Sequence, residues 1–251
     1  MAWYAYCITE QQAFHGSSRT RKPLTIENLT GIRGKQVFSC ACGDLAVVVS
    51  DFAEGEQIDQ SAARDHARVI SECFRAATVL PFRFGTVFAT DQALRRAVRV
   101  NRRLFMEEVG RLRGKAEMHI KVTVKDGSLR EAFTEVALPQ SVGSEYLSCL
   151  RQNAVRYRER QTKARALSVQ VNKMFSPLQE EVSCRKADDG AMQLDIAHLI
   201  EHKNLQKYQN KLQLAARQLK DCDVALSGPW PPYHFVGKLL TGKPRTTPSQ
   251  D

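Results

Sequence analysis

The stretch 79–88, V-L-P-F-R-F-G-T-V-F, limits what the chain can fold into more than any other. It opens as a buried strand does, with Val79 and Leu80 directly after a run patterned as a helix. Pro81 then removes a backbone donor and fixes φ, so pairing on one side stops there or moves to a sheet edge. Arg83 stands between Phe82 and Phe84, and the two-residue period of a strand sends it to the face opposite both rings. Gly85 permits a turn that a side chain would hinder, and Val87 and Phe88 return the chain to the interior. An arginine so framed is either stacked on rings and bonded to loop carbonyls, or it is a contact point for a partner.

Such a strand needs a core, and the chain can build one. It has 251 residues, 43% of them hydrophobic, enough for one large or two small domains. No apolar run approaches the ~18–20 residues of a membrane helix. The opening M-A-W-Y-A-Y-C-I-T-E has neither a basic region nor a cleavage site, so no signal peptide is expected. Seven cysteines, an odd number, point to reduced thiols and a cytoplasmic protein.

Along the first half, residues 3–9 alternate as a strand. Strands over 36–42 and 45–50 flank Gly43-Asp44, a hairpin signal. A helix is expected from about Asp59, its N-cap, with Ile58, Ala62, Ala63, His66, Val69, Ile70, Cys73 and Phe74 on one stripe. One further long helix opens after Thr90 and closes at Gly114, with Leu94, Ala97, Val98, Leu104, Phe105, Val109 and Leu112 as its stripe.

The second half begins with a half-buried strand at 117–124, ended by Asp126-Gly127, and a loop marked by Pro139 and Gly143. Positions 147, 150, 154, 157, 161, 164, 168, 171, 175 and 178 then step by three and four. This predicts a projecting, coiled-coil-like helical arm over about 144–178, broken near Pro177. Strands at 181–186 and 191–201, joined by Asp188-Asp189-Gly190, a helix through Leu205, Tyr208, Leu212, Ala215 and Leu219, and a strand at 223–226 follow. The last strand runs into L-S-G-P-W-P-P-Y-H-F-V, where prolines oppose regular structure while Trp230, Tyr233 and Phe235 demand a place to dock. The expected fold is α+β in two domains. An N-terminal ferredoxin-related α/β sandwich covers 1–113, a ferredoxin-like domain with the arm covers 114–240, and a flexible tail covers 241–251.

Signs of catalysis are weak. His198-Leu199-Ile200-Glu201-His202 has the H-x-x-E-H form of some zinc peptidases, but that chemistry needs a helix and this segment reads as a strand. Cys40-x-Cys42 is too tight for a zinc knuckle, Gly31-Ile32-Arg33-Gly34-Lys35 is not a phosphate loop, and His66 reads as a core or boundary histidine. No enzyme activity, catalytic residue, metal or cofactor is expected. The net charge of +10 and the run Arg151, Arg156, Arg158, Arg160, Lys163 and Arg165 leave nucleic-acid binding on a basic face as the alternative function.

The two Pro-aromatic stretches, L-P-F-R-F-G-T-V-F and L-S-G-P-W-P-P-Y-H-F-V, resemble the paired signatures of the gas vesicle protein F/L family. The Tyr4-Ala5-Tyr6 opening, G-D-L-A-V-V-V-S at 43–50 and G-K-A-E at 114–117 extend the resemblance over nearly the whole chain. Gly31-Ile32-Arg33-Gly34 departs by lacking an acidic residue between its glycines, and Met118 departs by replacing a commoner Trp. The resemblance implies an accessory or minor structural protein of gas vesicle assembly in the cytoplasm. It would bind the small hydrophobic shell subunit and other accessory proteins, with no nucleic acid and no membrane. Arg83, Phe84, Trp230, Tyr233 and Phe235 are the candidate partner-binding residues, with internal docking expected of Trp230.

Overall fold

The structure is a computed structural model that describes residues 2–15, 23–53, 58, 61–124, 143–176, 178–188, 192–219 and 222–236. Asp59, Asp126-Gly127, Pro139, Pro177, Asp189-Gly190 and the tail 241–251 lie outside them, as do the side chains of Leu147 and Tyr157. The fold mixes helices with antiparallel sheets and divides into two compact units. One takes in Met1–Lys115 and Trp230–Asp251, the other Ala116–Pro229. Residues 230–236, which the sequence reading put in the second domain, fall in the first unit. Tyr233, packed on the first unit's core, shows why.

In the first unit, β1 (Ala2–Glu10) is central, with β3 (Leu45–Phe52) on one side and β2 (Val37–Cys42) beyond it. Gly43, at φ +73, makes the β2–β3 turn as its sequence signal requires. On the other side of β1 run two short pieces, β4 (Leu80–Pro81) and β5 (Val87–Phe88). Every residue from Tyr4 to Thr9 is buried, so both faces of β1 are covered. Helix α1 (Ser61–Ala76) turns Ala62, His66, Val69, Ile70 and Cys73 into the core, the expected stripe, and shares it with Tyr4, Tyr6, Val37 and Val48. Among the described residues the order of this unit is strand, hairpin, helix, two short strands and two helices, the strand-hairpin-helix-strand-helix order of the sequence reading with its last two elements each in two pieces.

The single helix expected after Thr90 is two, α2 (Asp91–Val100) and α3 (Arg102–Leu112). Thr90 does cap the start, its Oγ1 accepting from the Ala93 N–H at 3.0 Å. The break is at Asn101, whose Nδ2 donates to the Ala97 carbonyl at 2.9 Å and competes with the helical ladder. Both helices pack on β1, through buried Leu94 and Val98 in α2 and Phe105, Val109 and Leu112 in α3.

The second unit runs β6 (Lys115–Val124), α4 (Gly143–Phe175), β7 (Glu181–Asp188), β8 (Met192–Glu201), α5 (Leu205–Gln218) and β9 (Cys222–Trp230), in the sheet order β7-β8-β6-β9. Met118, Ile120 and Val122 of β6 point into one core with Leu194 and Ile196 of β8 and Tyr208 and Ala215 of α5. Strand β9 continues through Gly228-Pro229, past the expected end at 226; an edge position tolerates a residue without an N–H.

Helix α4 is only partly an arm. Ala164, Val171 and Phe175 are buried in the core of the unit, whereas Leu150 (46% exposed) and Ala154, expected on the same seam, face solvent. The helix ends at Phe175, whose carbonyl accepts from the N–H groups of Leu178 and Gln179.

Candidate partner-binding site

The constraint set by Pro81 resolves as a wide bulge. Beside β1, Leu80 pairs with Ile8 and Pro81 with Cys7, then Val87 pairs with Tyr4 and Phe88 with Trp3. Residues 82–86 therefore stand opposite Ala5 and Tyr6 alone, and the surplus chain is pushed outward. The excursion is tied at both feet: the Phe82 N–H donates to the Tyr6 carbonyl at 2.8 Å, and the Ala5 N–H to the Thr86 carbonyl at 3.0 Å. Across it, the Thr86 N–H and hydroxyl both donate to the Arg83 carbonyl, while Gly85 takes φ +84. Bulges at sheet edges re-aim side chains. Here Phe82 goes inward, edge-on to Phe88 at 5.9 Å, while Arg83 and Phe84 (43% exposed) face out. Strict alternation, which would set Phe82 and Phe84 on one face, fails because the strand is interrupted between them.

A buried relay holds the bulge from below. The Gly85 N–H donates to Tyr4 Oη at 3.2 Å, Tyr4 Oη lies 2.9 Å from His66 Nδ1, and His66 Nε2 lies 3.2 Å from the Phe82 carbonyl. A carbonyl can only accept, so Nε2 carries the proton and Nδ1 accepts from the tyrosine. Burial pushes the His66 pKa down to about 4 and keeps the ring neutral, while it pushes the Tyr4 hydroxyl up. Phe84 rests edge-on against His66 at 5.7 Å. One edge of that exposed ring is thus fixed by a buried imidazole.

The C-terminal aromatic segment divides the same way. Phe235 and Val236 are buried, Tyr233 is half-buried against the first unit's core, and the Arg111 guanidinium, paired with Glu108, donates to the Phe235 carbonyl. Trp230 remains 43% exposed at the end of β9, where Pro229 interrupts the alternation that turns Val224 and Leu226 inward. Tyr233 and Phe235 dock internally, while Trp230, of which internal docking is expected, is partly exposed. Of the five candidates, Arg83, Phe84 and Trp230 are exposed, Tyr233 is half-buried and Phe235 is buried.

A model of the family described as gas vesicle synthesis protein GvpL/GvpF matches residues 2–237. The chain belongs to that family. Gas vesicle protein L of Streptomyces sp. (strain CB03234) is 29% identical over 234 residues, spanning 84% of this chain and 87% of the relative. The fold is similar to the crystal structure of the gas vesicle protein GvpF from Anabaena sp. PCC7120, with TM-score 0.72, 17% identity, and 94% and 96% of the two chains covered. GvpF from Microcystis aeruginosa gives 0.68 at 17% identity, with 94% and 99% covered.

The remaining motifs of this family member take structural places. His198 lies buried on β8, with Nδ1 2.7 Å from Tyr208 Oη and Nε2 3.1 Å from Asn172 Oδ1, so both nitrogens are occupied within the core. His202 is exposed on the short turn after β8, away from the helical spacing that a zinc pair needs. Cys40 and Cys42 are free thiols on β2, and burial pushes the pKa of Cys40 up to about 12. Sequence reasoning found His66 on its stripe but missed its partners. Tyr4, in the strand that begins the chain, was the available signal.

Proposed function

We propose that the protein is a non-enzymatic accessory or minor structural protein of gas vesicle formation that binds the small hydrophobic shell subunit in the cytoplasm. The observation that carries the reading is the bulge at 82–86. There a large aromatic ring is kept at the surface by a hydrogen-bonded scaffold whose other aromatic members are buried. Holding Phe84 in one place removes the ordering cost that a mobile loop would carry on binding. An exposed ring beside a guanidinium suits a hot spot, since aromatic and Arg side chains dominate such positions. Trp230 supplies a second exposed ring, and the second unit is read as a ferredoxin-like scaffold.

The test is a pull-down and titration of the full chain with the shell subunit. Arg83→Ala and Phe84→Ala are each expected to weaken binding by ~2 kcal/mol, about thirtyfold, without lowering the melting temperature. Unchanged affinity in both variants would remove the bulge from the interface.

A further inference from the structure

Helix α4 carries two stripes, and its own core uses one of them. Ala164, Val171 and Phe175 lie in that core. A second row, Arg151, Val155, Arg158, Thr162, Arg165 and Val169, advances by alternating steps of four and three residues, the repeat of a helix–helix seam. All six side chains are exposed, Val155 at 53% and Val169 at 61%. At about 100° per residue, Arg165 stands a quarter turn from Ala164, so the core of the unit leaves this row open. Among the described residues none of its three arginines has a carboxylate partner. In the surrounding sequence Glu159 is the one acid amid Arg151, Arg156, Arg158, Arg160, Lys163 and Arg165.

We propose that this row docks an acidic amphipathic helix of a partner protein. Apolar seam residues of that helix pack on Val155 and Val169, and its carboxylates pair with Arg151, Arg158 and Arg165. A guanidinium fork matches a carboxylate in two parallel hydrogen bonds, and the pairs set the register of the two helices. A parallel second copy of this chain is a poor occupant, because it would set Arg against Arg. Nucleic acid would use the arginines but gain nothing from two valines at seam spacing. The surface is separate from the bulge at 82–86, and the proposal stands or falls independently of the shell-subunit reading.

The experiment titrates the full chain against a labelled peptide of about four heptads, with Leu at the seam and Glu flanking it. A scrambled peptide of equal composition and a DNA duplex of about 20 base pairs serve as competitors. The ordered peptide is expected to bind at least about tenfold more tightly than the scrambled one, and R151E/R158E/R165E to abolish binding of both acidic peptides. Val155→Ser with Val169→Ser keeps every charge. It is expected to weaken the ordered peptide severalfold and leave DNA binding unchanged, and it decides the matter if the triple variant misfolds. Equal binding of the ordered and scrambled peptides, tighter binding of DNA, no binding of the ordered peptide, or a dimer that the charge reversal abolishes would each overturn the proposal.

Discussion

His66 carries the bulge although it lies outside it. Its two ring nitrogens tie a strand residue, Tyr4, to a loop carbonyl, that of Phe82, and its edge supports Phe84. His66→Leu would keep the apolar bulk and strand both partners, so a loss of ~2–6 kcal/mol is expected, at ~1–3 kcal/mol for each buried polar group left unsatisfied. Exchange of the Gly85 amide should accelerate with it, and unaltered stability and exchange would show that the relay is incidental. Gly228 is a second point of control. It sits at φ +119, and a Cβ there would lie 2.8 Å from the Glu117 carbonyl oxygen and 2.9 Å from Met118 Sδ. Gly228→Ala is expected to lower stability by at least ~1–3 kcal/mol through backbone strain alone, read as a fall in melting temperature. The stripe position of His66 was legible in the sequence because helical period shows burial. Its partners, 62 and 16 residues away, were not, because period carries no information about which distant atoms meet.

At the scale of elements, legibility followed the same rule. Gly43-Asp44 announced its hairpin and Thr90 its helix cap, because both are local chemistry. The break at Asn101 was hidden, since Leu94, Val98, Phe105 and Val109 keep one face across it. The bulge at 82–86 was half visible: Pro81 and Gly85 marked interruption, yet only pairing with β1 fixes how many residues stand out. Helix α4 shows what period cannot rank, namely which turns of one seam are covered. Phe175, almost wholly buried beside Tyr208, is expected to cost ~3–5 kcal/mol when cut to Ala. Leu150→Ala on the exposed turns should change stability by less than ~0.5 kcal/mol. Amide exchange should show the same gradient, fast over 150–160 and slow over 164–175. Uniform protection along α4 in the free protein would mean that its first half is covered after all.

Across the whole molecule, each unit holds a buried neutral histidine gripped by a tyrosine hydroxyl. The roles are exchanged between strand and helix. In the first unit Tyr4 comes from β1 and His66 from α1; in the second His198 comes from β8 and Tyr208 from α5. That exchange argues against reading the pair as a trace of duplication, though it gives both units the same response to acid. Burial pushes each histidine from 6.5 down to about 4, so between those values the unfolded chain binds protons that the folded chain refuses. The stability present above pH 6.5 is therefore lost as pH falls toward 4, by up to ~3 kcal/mol per histidine at ~1.4 kcal/mol per pH unit. His119 has the opposite sign. Its hydrogen bond to buried Glu117, at 2.5 Å, raises its pKa, with Asp195 3.3 Å from the other nitrogen. Its contribution is complete below the unfolded value and fades as pH rises through the folded one. Denaturant titrations from pH 8 to 4.5 should thus show an acid limb that His66→Gln and His198→Gln each make shallower. His119→Gln should flatten only the neutral-to-alkaline side. In a Trp230→Phe background Trp3, in β1, reports the first unit by fluorescence, so His66→Gln should alter the acid limb seen by that probe while His198→Gln leaves it in place. An acid limb equally steep in both glutamine variants would mean that the two imidazoles are already protonated in the fold, and the relay beneath Phe84 would have to be redrawn with His66 as a double donor.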